Sequence, residues 1–336
     1  MNPKPYGLAV PDYSELGIDP PYFGDAVWAR LKELDAEGTF EYIPMKVVPF
    51  PDGAEKVVVQ SSCRDKVVYA VHSWYVEPPR HVVVGAEICD ALMRSDASKV
   101  YMIELFNTYY RQDAQAGREP ITARLVAEIY HGAGMAGLFT ADPHSKQLAG
   151  FFRNMQPLPM SGKLAERVKA RYDTSNAVVV APDHGGYTRA EHFANLLDLP
   201  LAVLHKERRG TDSVKVKSLL GDVSGKDVFL RDDIISTGST NIEAAKELRA
   251  RGARSVYAVA THLALSGDAR RRLREHGIHV IGTNTIPRKF SDEEKLYFDV
   301  ADVSDLIANV IYAKSKGGSI SHFFNNHGQT THLRSA

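Results

Sequence analysis

Residues 228–240 read VFLRDDIISTGST: a hydrophobic run carries two adjacent carboxylates into a short Ser/Thr/Gly loop that opens a helix. Asp232 and Asp233 stand where the strand ends, so they can accept hydrogen bonds from a pair of vicinal hydroxyls, as an acidic residue does for ribose in dinucleotide-binding folds. Ser236, Thr237, Gly238, Ser239 and Thr240 then present backbone N–H groups and hydroxyls to a phosphate at the helix N-terminus. A diol at one end and a phosphate at the other describe a ribose 5-phosphate. Acids followed by a polar loop also serve simply as helix caps, so the surrounding chain has to decide.

Outward from this loop, short β-rich runs alternate with amphipathic helical stretches, the pattern of α/β domains with mainly parallel sheets. Strands are expected near Val178–Ala181, Leu201–His205, Val228–Arg231, Ser255–Ala260 and His279–Gly282 in the second half. In the first half they are expected near Val47–Phe50, Val67–His72, Val100–Phe106 and Gly137–Ala141. A loose internal repeat links the halves: CDALMRSDASKVYMIEL, 89–105, has the same helix, turn, strand plan as AKELRARGARSVYAVAT, 245–261. In the second copy Leu248 lies on the apolar face set by Ile242 and Ala245, and Gly252 is placed to end the helix. NMQPLPMSG, 154–162, breaks the periodicity with two prolines and a glycine and sets a boundary there. The expected architecture is α/β: two similar doubly wound domains with mainly parallel sheets, residues 1–155 and 156–336, with a polar, frayed tail beyond about Phe324.

Length agrees, since 336 residues suggest two domains of about 150 each. The 41 basic and 41 acidic residues cancel, which removes any global electrostatic case for nucleic acid or an anionic membrane as partner. A small anionic substrate needs only local positive charge. Cys63 and Cys89 form no Cys-x-x-Cys pair, which disfavours a disulfide framework or thiolate zinc site and suits a reducing cytoplasm. The start, MNPKPYGLAVPDY, lacks a basic region followed by an apolar run, and no segment approaches about 18 uninterrupted apolar residues. A soluble, unprocessed, cytoplasmic protein is expected.

The loop at 232–240 resembles the phosphoribosyl-pyrophosphate (PRPP) motif of two families, the type I phosphoribosyltransferases and the ribose-phosphate pyrophosphokinases, or PRPP synthetases. VVVAPDHGGYTRAEHFANLLDLPLAVLHKERRG, 178–210, resembles the start of the second domain of the synthetases. There Asp183 sits just past a strand, and Gly185-Gly186 leaves room for a metal or phosphate. HKERRGTDSVKVKSLLGDVSGK, 205–226, is basic and reads as a loop before the strand that carries Asp232. The resemblance puts Lys206 and Arg208 on the lysine and arginine that a mobile loop of the family supplies to the transferring pyrophosphoryl group. Cationic stabilisation of that kind is what phosphoryl transfer chiefly needs. A charge run is more often a solvated face, but the run from Lys206 to Gly221 follows the family pattern without a gap.

The first half carries segments that a phosphoribosyltransferase would lack. FPDG at 50–53 resembles the synthetases' nucleotide loop, and YYRQD (109–113) followed by REPITARLVAEI (118–129) resembles their RQD and REPITAKL segments. TADPHSKQLAGFF, 140–152, resembles their D-x-H…GFF element, and SISHFF, 319–324, a signature found at a subunit-interface regulatory site. By that resemblance Phe50, Asp52, Arg111 and Gln112 are ATP contacts, and His144 with Asp183 holds metal or phosphate.

The resemblance implies a ribose-phosphate diphosphokinase that uses Mg²⁺ and binds ATP and ribose 5-phosphate. The anomeric hydroxyl would attack the β-phosphorus in line, AMP would leave, and PRPP would be the product. The site would lie between the domains of a homo-oligomer, dimer or hexamer, completed by a neighbouring subunit. Two other readings stay open: a PRPP-using phosphoribosyltransferase, and a non-catalytic paralogue acting as a regulatory subunit. The chain departs from the family pattern at Ala54 (Glu in the family), Pro79 (Asn), Thr108 (Gly), Ser236 (Asp in classical bacterial synthetases) and Ser239 (Gly). Arg231 replaces a usual aliphatic residue, and the first 45 residues match the family poorly.

Overall fold

AVVVA at 177–181 is buried at every position, which suits an interior strand of a sheet covered by helices on both faces. The computed structural model describes residues 5–16, 23–73, 77–209, 213–321 and 323. Its chain divides into two compact units. One comprises Met1–Leu158, Thr285–Lys289 and Val303–Phe323; the other comprises Pro159–Asn284, Phe290–Asp302 and Phe324–Ala336.

The first unit runs β1 (Tyr6–Asp12), α1 (Phe23–Leu34), β2 (Phe40–Pro49), β3 (Glu55–Val59), β4 (Val67–Val71), α2 (Pro78–Arg94), β5 (Lys99–Ile103), α3 (Thr122–Gly132), β6 (Met135–Ala141), α4 (Leu148–Phe151) and β7 (Gln156–Leu158). The second runs α5 (Ser161–Arg171), β8 (Ala177–Ala181), α6 (Tyr187–Leu197), β9 (Leu201–Arg209), β10 (Ser213–Leu220), β11 (Asp227–Ile235), α7 (Ser239–Ala250), β12 (Ser255–Leu263), α8 (Ala269–Glu275), β13 (His279–Thr283) and β14 (Phe298–Ala301). The last helix, α9 (Ser304–Ser315), belongs to the first unit, where it packs along α1. Among the described residues no helix is long and apolar enough to cross a membrane.

Both sheets have seven strands among the described residues, in the same order: β3-β2-β1-β4-β5-β6-β7 and β10-β9-β8-β11-β12-β13-β14. Neighbours are parallel except at one edge of each, where β3 returns antiparallel along β2 and β10 along β9. The expected pair of similar doubly wound α/β folds is what forms. The internal repeat is part of it, since 89–105 spans the end of α2 through β5 and 245–261 spans α7 through β12. Asp96 and Gly252 occupy the same left-handed turn position, with φ of 64° and 89°, and each is followed by an alanine whose N–H closes the helix onto Leu92 or Leu248.

Alternation along the strands builds the second core. Val178, Val180 and Leu230 face Ile242, Ala245 and Leu248 of α7, while Val179 and Phe229 face Leu164 and Val168 of α5 and Phe193 of α6. In the first unit Val84, Ile88 and Leu92 of α2 and Val126 and Tyr130 of α3 cover Val68, Val100 and Met102.

Two expectations are corrected. The first 45 residues supply β1, an interior strand of the first sheet between β2 and β4, where no strand is expected. Gly7 and Pro11 both disfavour a strand interior, but β4 pairs only with Tyr6–Ala9, so the missing N–H of Pro11 falls where β2 alone flanks the strand. The basic segment after His205, expected as a loop, continues β9 to Arg209 and returns as β10, with Lys206 opposite Val216 and Arg208 opposite Val214. Its alternating valines, SVKV, are the pattern of a strand.

Candidate functional site

In the second unit the sheet order reverses between β8 and β11, and the acids of the opening motif lie at their carboxyl ends. The chain leaves β8 at Pro182 and turns into α6 at Gly186, whose N–H donates to Oδ1 of the exposed Asp183 at 3.0 Å. Next to it β11 runs past the end of β8, and Arg231, Asp232 and Asp233 lie in that overhang, followed by Ile234 and Ile235 before the strand ends. Asp232 Oδ1 accepts the N–H of Asp233 at 2.8 Å, so one carboxylate of the pair is held by the backbone of the other. Burial, then the charge of Asp233, and more weakly that of Asp183, hold the Asp232 carboxyl well above the usual carboxylate range.

Arg231 shares the strand face of Phe229 and is fully buried. Its guanidinium donates to the Asp232 carbonyl and, at 3.0 Å, to Thr261 Oγ1 on β12, and it lies 5.7 Å from the Phe193 ring centroid. This residue, unexplained in the sequence, ties the acid-bearing end of β11 to its neighbour.

The loop Ser236–Gly238 opens α7. The Ser236 carbonyl accepts the Ser266 N–H at 3.0 Å, and the Thr237 and Ser239 hydroxyls are 3.2 Å apart. Gly238 takes φ 73°, a left-handed turn that an L side chain rarely adopts, and a Cβ there would stand 3.1 Å from Leu273 Cγ. Arg272 of α8 was not legible as a site residue. Its guanidinium donates to the Thr237 carbonyl at 3.3 Å and to Ser239 Oγ at 3.2 Å, so a cation flanks the loop. The other arginines of RRRLRE are turned elsewhere: Arg270 to Glu294, Arg271 to Asp268 and Glu275, and Arg274 to Glu293. Lys206 and Arg208 lie on β9, the neighbour of β8; their side chains fall outside the described residues.

In the first unit the candidates also lie beyond the carboxyl ends of parallel strands. Phe50 and Asp52 form the tip of the β2–β3 hairpin, closed by Gly53 N–H to the Phe50 carbonyl at 3.0 Å, and Phe50 is 43% exposed. Arg111 and Gln112 follow β5 through a 3₁₀ turn, Thr108–Arg111, and both are exposed; Gln112 Oε1 accepts the Thr122 hydroxyl at 2.6 Å. His144 is exposed after β6. His144 and Asp183 therefore stand in different units. In SISHFF, His322 and Phe324 lie outside the described residues, as does the tail beyond.

Sequence reasoning also missed a buried polar network beneath the Arg111 turn. Glu104, fully buried after β5, accepts from His81 Nε2 at 2.9 Å, Asn107 Nδ2 at 3.1 Å, Tyr130 at 2.7 Å, and Tyr110. Burial alone would push its carboxyl up, but the bond from His81 and the other donors outweigh it and hold the carboxyl below its usual range. His72, His81 and Glu104 place donor atoms within 4.8 Å of one another. The two imidazoles are stacked, however, with centroids 3.9 Å apart at 16°. Their lone pairs run side by side rather than converging on one point, so the cluster is a hydrogen-bonded network and not a metal centre. The signal for it was an acid set inside the hydrophobic run KVYMIELF.

A doubled, doubly wound α/β protein with an acidic reversal point in its second sheet is the class that this geometry defines. Residues 21–134 match the N-terminal domain of ribose phosphate pyrophosphokinase, and residues 213–325 match the phosphoribosyl synthetase-associated domain. A ribose-phosphate pyrophosphokinase of Caldanaerobacter subterraneus subsp. tengcongensis is 36% identical over 287 residues, 83% of this chain and 89% of that one. One of Corynebacterium efficiens is 36% identical over 305 residues, 88% and 91% of the two chains. The crystal structure of phosphoribosylpyrophosphate synthetase from Mycobacterium smegmatis superposes with a TM-score of 0.79 at 32% identity, covering 94% of this chain and 100% of that one. The chain belongs to the ribose-phosphate pyrophosphokinase family.

Proposed function

We propose that this protein makes PRPP. The anomeric hydroxyl of ribose 5-phosphate attacks the β-phosphorus of ATP in line, the bond from that phosphorus to the α-bridging oxygen breaks, AMP leaves, and the hydroxyl proton passes to solvent. The observation that carries the proposal is the Asp232–Thr240 cradle at the reversal point of the second sheet, in a chain related to ribose-phosphate pyrophosphokinases over 83% of its length.

Asp232 and Asp233 accept hydrogen bonds from the ribose hydroxyls. The Ser236–Thr240 amides and hydroxyls hold the 5-phosphate, with Arg272 offsetting its charge. Phe50, Asp52, Arg111 and Gln112 take the nucleotide, which makes the first unit the ATP side and the second the ribose 5-phosphate side, with Val303–Phe323 on the ATP side rather than with the rest of 156–336. Lys206 and Arg208 stabilise the charge that spreads over the transferring group. Carboxylates crowded enough to raise a neighbour's pKa are a donor set that a hard divalent cation relieves, so Asp183 would hold Mg²⁺, with His144 as a further contact to metal or phosphate. Mg²⁺, when bound, neutralises charge on the ATP phosphates. We place the enzyme in the cytoplasm as a homo-oligomer.

Incubation with ATP, Mg²⁺ and ribose 5-phosphate tests the reading. AMP and PRPP should form in equal amounts, and a Lys206→Ala variant should lose roughly 100-fold or more in kcat. No AMP above that variant's background would defeat the proposal. AMP released only with another sugar phosphate would keep the chemistry and change the substrate.

A further inference from the structure

The two sheets reverse their order at equivalent places, between β1 and β4 in the first and between β8 and β11 in the second. Open α/β sheets bind ligands beyond the carboxyl ends of the strands at that point. The second sheet presents Asp183 and Asp232 there. The first presents Tyr13, just past β1, and His72, just past β4, joined by a 2.8 Å hydrogen bond and both buried. Its crevice is filled, and the filling continues through His81 to Glu104, whose counterpart in the internal repeat is the buried Ala260.

Glu104 is fixed to three elements at once. His81 belongs to α2, Tyr130 to α3, and Asn107 and Tyr110 to the turn that ends in Arg111. Asn107 acts twice: its Nδ2 donates to Glu104 at 3.1 Å, while its Oδ1 accepts the Tyr109 N–H at 3.0 Å and caps the turn. Tyr110, which donates to Glu104 Oε2, directly precedes Arg111. Bonds to an ionised acceptor are the stronger kind, and in a buried site each donor has no water to fall back on.

We infer that Glu104 is a positioning residue for the nucleotide side: from the filled crevice of the first sheet it fixes the Thr108–Arg111 turn, and with it Arg111 and Gln112, through Asn107 and Tyr110. This rests on the reading of Arg111 and Gln112 as ATP contacts. Tyr130 supplies the control, because its hydroxyl bonds the same carboxylate at 2.7 Å from outside the turn.

The test compares Tyr110→Phe with Tyr130→Phe, each of which deletes one buried hydroxyl and no carbon. ATP affinity is measured by calorimetry, and KM for each substrate by AMP release. Tyr110→Phe should weaken ATP binding and raise the ATP KM about 5–10-fold, with the ribose 5-phosphate KM within twofold of wild type. Tyr130→Phe should lower the melting temperature comparably yet leave ATP affinity within twofold, and Glu104→Gln should follow Tyr110→Phe. If wild type binds ATP and the two tyrosine variants shift ATP affinity equally, or neither shifts it, Glu104 is only a structural hub and the inference is overturned. If wild type binds no ATP, the functional reading of the turn is what fails, and the inference falls with it.

Discussion

Tyr13 donates its hydroxyl to Nδ1 of His72 at 2.8 Å, while His72 donates from Nε2 to the His81 carbonyl at 2.9 Å, so both nitrogens of a fully buried ring are used in its neutral form. Burial, and after it the neighbouring His81, push the His72 pKa down to about 3. Between pH 6.5 and 3 the unfolded chain binds a proton here that the folded chain refuses. Stability present above pH 6.5 is therefore lost as pH falls below it, by up to about 1.4 kcal/mol per pH unit from this group. Urea denaturation at pH 7, 6 and 5 should show that slope, and His72→Gln should flatten it from a lower starting stability. Equal slopes in the two proteins would place the acid sensitivity elsewhere.

Arg272 touches the Ser236–Thr240 loop from a different helix, so if that loop holds the 5-phosphate as proposed, its loss should be felt by one substrate only. Arg272→Ala is expected to raise the ribose 5-phosphate KM about 10–100-fold, the scale of a lost charge-assisted bond, and to leave the ATP KM within about threefold. Arg272→Lys keeps the charge but not the planar guanidinium whose Nη1 makes both bonds, and should fall between. Steady-state kinetics with each substrate varied in turn decides it.

Asp232 is a cost to the fold, and on the proposed reading the ribose site requires it. Asp232→Asn removes a charge that burial and Asp233 both oppose, and should raise stability by roughly 1 kcal/mol while abolishing ribose 5-phosphate binding. Thermal melting and calorimetric titration of the same variant should move in opposite directions. A variant that is less stable than wild type would mean that the Asp232–Asp233 bond outweighs the repulsion.

Gly85 lets α2 approach the network closely, since a Cβ there would lie 2.5 Å from the Tyr130 hydroxyl. Alanine improves helix propensity by about 1 kcal/mol, yet Gly85→Ala should destabilise by about 1–3 kcal/mol because a packed core cannot accept the added atom. The double change with Tyr130→Phe should cost less than the sum of its parts, a coupling that a double-mutant cycle measures directly.

The strands of the second sheet were legible because buried parallel strands are continuous apolar runs, as at 177–181, and because the turn at Gly252 ends its helix where an L residue would be strained. Residues adjacent in the chain, such as Asp232 to Thr240, could be grouped as one candidate site because their chemistry is local. β1 was hidden by Gly7 and Pro11, whose turn preferences the two flanking strands override. The Glu104 network draws on Tyr13, His72, His81, Asn107, Tyr110 and Tyr130, which no spacing rule connects before the sheet is assembled. Arg272 could not be told from its neighbours in RRRLRE until the partners of Arg270, Arg271 and Arg274 were known.

The packing of α9 along α1 has a consequence for the order in which the protein is made. The Tyr6 hydroxyl bonds the Ser315 carbonyl, 309 positions later, and Lys316 pairs with Glu37 at 2.6 Å. The first sheet, whose strands emerge early, is thus completed by a helix that follows every strand of the second sheet. Until then the first sheet lacks a helix whose Leu306, Ile307, Val310 and Ile311 are all buried. Sequence-distant closure of this kind is slow and leaves apolar surface waiting for its cover. A nascent chain stalled before α9 would therefore carry a complete second sheet beside a first unit that still lacks its last helix.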